Sequence, residues 1–310
     1  MYISRKIIAV WVVCLALILT AVFVRFSRVT YKIGPFPIIV STAKEKSLPT
    51  SQSFYDAGNQ ETVGNSTEKP IVPVISARAY IAGNVTNGQI YATKNPNLIL
   101  PVASMSKLIT AVAATDRLSL SGKVTVTNQE LDVASDTSRF VAGETFSVLE
   151  LLYPMLLNSS NVAAEALASS TNRAAFLESM TAYAKEIGMP KTFFADPSGL
   201  SSQNTSTARD FFTLSKYLYK SRPDILAISR KSVVFIATTT AHNSHFFYSI
   251  HPFVTDDEFL GGKTGHTDAA GDTMLTMLRI NNQPIAIVVL KSDNRYKDTK
   301  LIVEQIRKLI

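Results

Sequence analysis

The 310-residue sequence has a single cysteine, Cys14, and it falls inside an apolar run. No intrachain disulfide can form, so a buried core must hold the fold; the count permits a location outside the cytoplasm without indicating one. Acidic residues are missing from the first 40 positions, which carry Arg5, Lys6, Arg25, Arg28 and Lys32. Those five supply most of the formal net charge of +7 and leave only +2 for the rest of the chain. The basicity flanks an apolar segment and does not mark a nucleic-acid-binding face, so no nucleic-acid partner is expected. Histidine is also scarce, with four in all. His242, His245 and His251 read as loop residues without a carboxylate pair at ligand spacing. No metal and no cofactor are therefore expected.

From Ile7 to Val24 only Thr20 is polar. At 1.5 Å per residue this run reaches about 27 Å, close to a hydrocarbon core of about 30 Å. Arg25-Phe26-Ser27-Arg28 follows directly where a cleaved signal would show small residues. Residues 1–30 are thus expected to be a cytoplasmic tip and a transmembrane signal anchor. Charges on the two sides are matched, so the positive-inside rule does not set its orientation. Residues 31–73 read as a linker. From Ser41 to Pro73 Ser, Thr, Asn, Gln, Glu, Lys, Gly and Pro dominate, with Phe54 and Tyr55 the only aromatics. About 40 such residues span about 35 Å, enough to hold a domain clear of a bilayer.

The folded domain is expected over residues 74–310. Ala77–Ala82 and Gln89–Ala92 read as strands joined through Gly83-Asn84-Val85-Thr86-Asn87-Gly88. Val124–Val126 reads as a short strand and Asn128–Arg139 as a loop or short helix. Helical periodicity runs over Ser147–Leu157, resumes at Val162–Ala168, and returns over Arg173–Ile187 and Thr207–Tyr219. Ser232–Thr238 is β-branched, Thr273–Ile280 and Ile285–Leu290 flank Asn281-Asn282 as a hairpin, and Asp298–Leu309 is an amphipathic helix. Strands at both ends and helices between them imply an α/β (α+β) domain whose sheet is completed by distant segments, not a doubly wound one.

Ser104 and Lys107 open an apolar helical run, Lys107 to Ala114, on one helix face. A serine hydroxyl needs a proton acceptor to act as a nucleophile, and a lysine one turn away serves if its pKa is depressed. Ser-x-x-Lys also occurs at Ser41/Lys44 and Ser66/Lys69, in polar segments without helical periodicity. Alone, the Ser104 motif reads first as a helix cap with a solvated lysine, and the later motifs reverse that reading. Ser159 and Asn161 stand at a tight break between two apolar helices, and Lys263-Thr264-Gly265-His266 follows a glycine pair.

Ser104-x-x-Lys107, Ser159-x-Asn161 and Lys263-Thr264-Gly265, in that order, resemble the motif set of the penicillin-recognising serine enzymes. Leu156-Leu157-Asn158-Ser159-Ser160-Asn161, Asp196-Pro197-Ser198-Gly199-Leu200 and Lys263-Thr264-Gly265-His266-Thr267 are similar to the low-molecular-mass D-alanyl-D-alanine carboxypeptidases of serine peptidase S11 type, over about Ala77 to Leu309. The resemblance implies a β-lactamase/DD-peptidase-like fold, with an antiparallel sheet flanked by helices and a helical subdomain. It implies Ser104 as nucleophile, Lys107 as its base and Ser159 as proton relay held by both lysines. Asn161, Lys263, Thr264, Gly265 and His266 would bind substrate, with the Ser104 and His266 N–H groups as oxyanion hole. The expected partners are a peptidoglycan stem peptide, β-lactams as covalent inhibitors, and a bilayer at the N-terminus, with the domain on the outer face of a bacterial cytoplasmic membrane. Removal of a terminal D-Ala is the first reading. A DD-endopeptidase cutting cross-links and a non-hydrolysing penicillin-binding sensor stay open. A β-lactamase fits less well, because Glu165 falls within the helix after Asn161.

Overall fold

The computed structural model describes residues 74–310. The anchor over 1–30, the linker over 31–73 and the first two Ser-x-x-Lys matches lie outside the described residues. Among the described residues no helix is long and apolar enough to cross a membrane.

In chain order the strands are β1 (Ala79–Asn84), β2 (Ile90–Lys94), β3 (Leu100–Pro101), β4 (Lys123–Thr125), β5 (Thr145–Ser147), β6 (Thr205–Ser206), β7 (Val233–Ile236), β8 (His245–Tyr248), β9 (Phe259–Thr267), β10 (Gly271–Ile280) and β11 (Gln283–Ser292). The helices are α1 (Lys107–Arg117), α2 (Asn128–Leu131), α3 (Val148–Leu157), α4 (Asn161–Ser169), α5 (Arg173–Glu186), α6 (Ala208–Ser221), α7 (Pro223–Ser229) and α8 (Arg295–Arg307), with a 3-10 turn over Ala103–Ser106 before α1.

An antiparallel sheet of order β2-β1-β11-β10-β9 forms the frame. Ala79 stands opposite Leu290, so the first strand of the domain pairs with the last and the chain closes on itself. The β10–β11 hairpin turns at Asn281 and Asn282, whose φ angles of 47° and 62° suit a mirror-image turn that asparagine tolerates. β11 is apolar at successive positions because both sheet faces are covered. Ile285, Ile287 and Val289 pack toward Ile302, Val303 and Ile306 of α8. Ala286, Val288 and Leu290 face the larger core of helices α1, α3, α4 and α6. α1 is buried continuously from Lys107 to Ala114, which explains its lack of a polar face. Ser147 caps α3 through a capping box with Glu150, and Ser160 caps α4 by accepting from the Ala163 N–H.

The α+β antiparallel expectation holds, and the structure adds three local features. The Ser232–Thr238 stretch forms β7, which among the described residues pairs with β8, the strand that contains His245, in a hairpin separate from the main sheet. Helix α7 starts at Pro223, a residue suited to the first helical position but easily read as a stop. The stretch around Lys263 is an edge strand, β9, disguised by the low strand preference of Gly261, Gly262 and Gly265.

Candidate active site

Ser104 sits in the 3-10 turn, held from three sides. Ala103 before it has a φ of 50°, a left-handed conformation uncommon for alanine. Thr273 on β10 donates from Oγ1 to the Val102 carbonyl at 3.0 Å. A Cβ on Gly265 would lie 2.6 Å from Thr273 Oγ1 and 2.9 Å from the Ser104 backbone N. The glycine therefore lets β9 run alongside the backbone of Ser104. The clash it avoids here is with the protein's own Thr273 and Ser104. Gly199 (φ 89°) closes the third side, where a Cβ would meet the Ala103 carbonyl at 2.0 Å.

Lys107 is fully buried, and burial drives its pKa down to about 7 against the raising fields of Asp196, Asp136 and Glu165. Its Nζ is 2.9 Å from Ser104 Oγ, 2.7 Å from Asn161 Oδ1 and 2.5 Å from the Ser198 carbonyl oxygen. The latter two oxygens cannot donate. In the neutral amine both N–H groups are thereby consumed, and the lone pair is left for the Ser104 hydroxyl. Asp196 places the Ser198 carbonyl by accepting from the N–H groups of Ser198, Gly199 and Ser201 at 2.7, 2.5 and 2.6 Å and from Ser198 Oγ at 2.9 Å. Asn204 donates to Ser106 Oγ at 2.9 Å, while Met105 is buried in the core. The two residues inside the motif thus point away from the cleft.

On the facing side Ser159 has a φ of 65°, a strained position for a serine, which aims Oγ at Lys263 Nζ, 3.0 Å away. Lys263 also donates to the Thr264 carbonyl at 2.8 Å. Its pKa is pushed well below the ordinary value, first by burial and then by Lys107 and Arg295. The expected Lys107–Ser159 contact is not among the bonds of Lys107, whose valences are filled elsewhere. Asn161 donates from Nδ2 to the carbonyls of Ala134 and Ser135 at 3.0 and 3.3 Å. Its amide thus bridges Lys107 to the 134–138 loop, and the residue lines the cleft. Asp136 ties the same loop to the motif, accepting from Ser160 Oγ and the Val162 N–H, both at 2.8 Å.

Ser104, Ser159, Asn161, Thr264, Gly265 and His266 line one open cleft of about 580 Å³, with both lysines buried behind the serines. Arg295, at the start of α8, lines it too and was not anticipated. It donates to the Gly265 carbonyl at 2.7 Å and to Asp272 Oδ1 at 3.1 Å, and Asp272 also meets His266 Nδ1 at 2.9 Å. No local pattern marks Arg295; only the hairpin brings it to β9.

The other histidines do not converge. His245 meets Glu144 at 3.1 Å, His242 lies 3.7 Å from Glu150, and His251 is buried against the Leu275 carbonyl, where burial lowers its pKa to about 3. Tertiary packing thus supplies carboxylates that sequence spacing did not show. Among the described residues no group of three or more His, Cys, Asp or Glu is placed to hold a metal ion.

The model of the D-alanyl-D-alanine carboxypeptidase family, Peptidase_S11, matches residues 64–294. A D-alanyl-D-alanine endopeptidase of Escherichia coli (strain K12) is 35% identical over 232 residues, covering 72% of this chain and 73% of that protein. The D-alanyl-D-alanine carboxypeptidase DacC of the same organism is 28% identical over 233 residues, 70% of this chain and 57% of that protein. The cefotaxime-bound Penicillin-Binding Protein D2 of Listeria monocytogenes superposes with a TM-score of 0.66 at 30% identity, over 76% of this chain and 98% of that one. With the three motifs gathered in one cleft and the family model spanning most of the sequence, the chain belongs to the D-alanyl-D-alanine carboxypeptidase family of S11 serine peptidases.

Proposed function

We propose that this chain is a serine DD-peptidase that cleaves the bond after D-Ala in peptidoglycan stem peptides through an acyl-enzyme, with release of a terminal D-Ala as its first reaction. The observation that carries the reading is the environment of Lys107, whose two N–H groups are committed and whose remaining valence faces Ser104. Ser104 Oγ attacks the D-Ala carbonyl and gives its proton to Lys107 Nζ. The oxyanion is received by the N–H groups of Ser104 and His266. Ser159, in contact with Lys263, passes a proton to the leaving amine, and water then hydrolyses the ester. Lys263, Thr264 and Arg295 supply the donors for the free carboxylate of the leaving residue. Asn161 acts by holding Lys107.

A second reading, DD-endopeptidase action on cross-links, is favoured by the name of the 35% identical relative. The chemistry is the same; only the leaving amine differs. β-Lactams, which present the same carbonyl and carboxylate, acylate Ser104 in either case. We place the domain on the outer face of a bacterial cytoplasmic membrane, held by residues 7–24, because the substrate lies there.

The test is covalent labelling of a fragment beginning near Pro70 by a fluorescent penicillin, together with D-Ala release from a pentapeptide. Labelling at Ser104 and its loss in Ser104→Ala are expected; an adduct persisting in that variant refutes the assignment. Full-length protein should resist carbonate extraction from membranes, and protein lacking residues 1–30 should not.

A further inference from the structure

A second cavity, of about 630 Å³, opens beside the catalytic cleft and shares Thr137, Asn158 and Ile250 with it. That volume is within the range of about 300–1,000 Å³ typical of binding sites. One wall is the 137–141 loop with Arg139, and the other is strand β8. In β8, His245 and Phe247 turn inward and stack at 5.7 Å, while Phe246 and Tyr248 are 59% and 62% exposed. Such aromatics on a short hairpin are unexplained by the core. Arg139 is exposed, has a φ of 57°, and forms no ion pair among the described residues. At the junction, Asn158 Oδ1 finds no hydrogen-bond partner among the described residues.

The cavity meets the cleft at Asn158, the neighbour of Ser159, whereas Leu200, Thr267 and Asp268 line other parts of the cleft. Under the mechanism proposed above, the Ser159 side is where the leaving amine departs. A leaving D-Ala is one small residue and has no use for a second cavity. A cross-link leaves as an amine that carries a carboxylate and continues into a second stem peptide. We propose that this cavity is the subsite for that leaving strand, with Arg139 pairing a carboxylate of the second peptide and Phe246 and Tyr248 covering its apolar stem. The inference rests on the DD-peptidase reading and adds cross-linked peptide to the terminal D-Ala-D-Ala stem as a substrate class that the site accommodates. Atoms balance as in simple hydrolysis: the Ser104 ester forms as the D-Ala carbonyl–nitrogen bond breaks, the proton that Ser104 gives up to Lys107 is matched by one delivered to the nitrogen by way of Ser159, and water then splits the ester, its hydroxyl going to the D-Ala carbonyl carbon and its proton restoring Ser104.

The experiment compares kcat/KM on a cross-linked peptide dimer and on a D-Ala-D-Ala pentapeptide, alongside the benzylpenicillin acylation rate. Arg139→Gln and Tyr248→Ala are each expected to lower the dimer-to-pentapeptide ratio about tenfold, chiefly through KM. Tyr248 is on the opposite wall from the loop that anchors Asn161, so its variant stays informative if Arg139→Gln disturbs that loop. Equal losses on dimer, pentapeptide and penicillin would overturn the subsite and indicate a structural role. So would an unchanged ratio accompanied by loss of binding to anionic lipid vesicles, which would assign the aromatic face to a membrane surface. A parent enzyme that reacts with penicillin but leaves the dimer intact overturns the subsite alone; one that reacts with neither overturns the DD-peptidase reading itself.

Discussion

If neutral Lys107 is the base that activates Ser104, acylation must follow its titration. Full burial brings its pKa from 10.5 to about 7, a difference worth roughly 5 kcal/mol at about 1.4 kcal/mol per unit. The amine is then neutral in about one molecule in eleven at pH 6 and in about ten in eleven at pH 8, so the second-order rate of acylation should rise about tenfold across that interval and flatten above it. The assay is quenched-flow labelling by benzylpenicillin at subsaturating concentration, because the carboxylate of this ligand stays ionised throughout the range. A second arm sharpens it. Glu165 raises the Lys107 pKa through its field and is paired with Arg173 at 2.7 Å. Glu165→Gln removes the negative charge and leaves the arginine, so the inflection should move to lower pH. Lys107→Arg, which cannot deprotonate, should abolish acylation at every pH. A rate that is flat from pH 6 to 8, or that climbs only above pH 9, would refute the base assignment.

Two further outcomes follow from the walls of the cleft. Gly265→Ala drives a methyl group into Thr273 Oγ1 and the Ser104 N; overpacking of this kind costs about 1–3 kcal/mol, and penicillin acylation should fall at least about 100-fold while circular dichroism stays native. Asp196→Ala removes one acceptor from four donors and frees the carbonyl that holds Lys107. Urea unfolding should show a loss of about 2–4 kcal/mol, with acylation lost as well; a variant that keeps both stability and acylation would sink the proposed role of that turn.

Much of the frame was legible locally because it rests on short-range rules. The Asn281-Asn282 hairpin, the Ser147 start of α3 and the alternation hidden in Ile285–Leu290 are each set within a few residues. Strand β9 and helix α7 were missed where a local signal, glycine or proline, contradicted the element that long-range packing imposed. The pairing of β7 with β8 apart from the main sheet is likewise a matter of partners and not of propensity.

The same division runs through the site. Covalent spacing alone puts Ser104 and Lys107 on one face, and it supplies the chemical inventory of two serines, two lysines and an asparagine within three short motifs. Spacing says nothing about a pKa, which depends on how much water surrounds an amine. Only the closed core dehydrates Lys107 and Lys263. Only the fold sets two backbone features that no side-chain pattern encodes: the Ser198 carbonyl against Lys107 and the Ser104 N against Gly265. Arg295 and the cavity under β8 belong to the same class, because their neighbours are distant in the chain and meet only when the sheet closes.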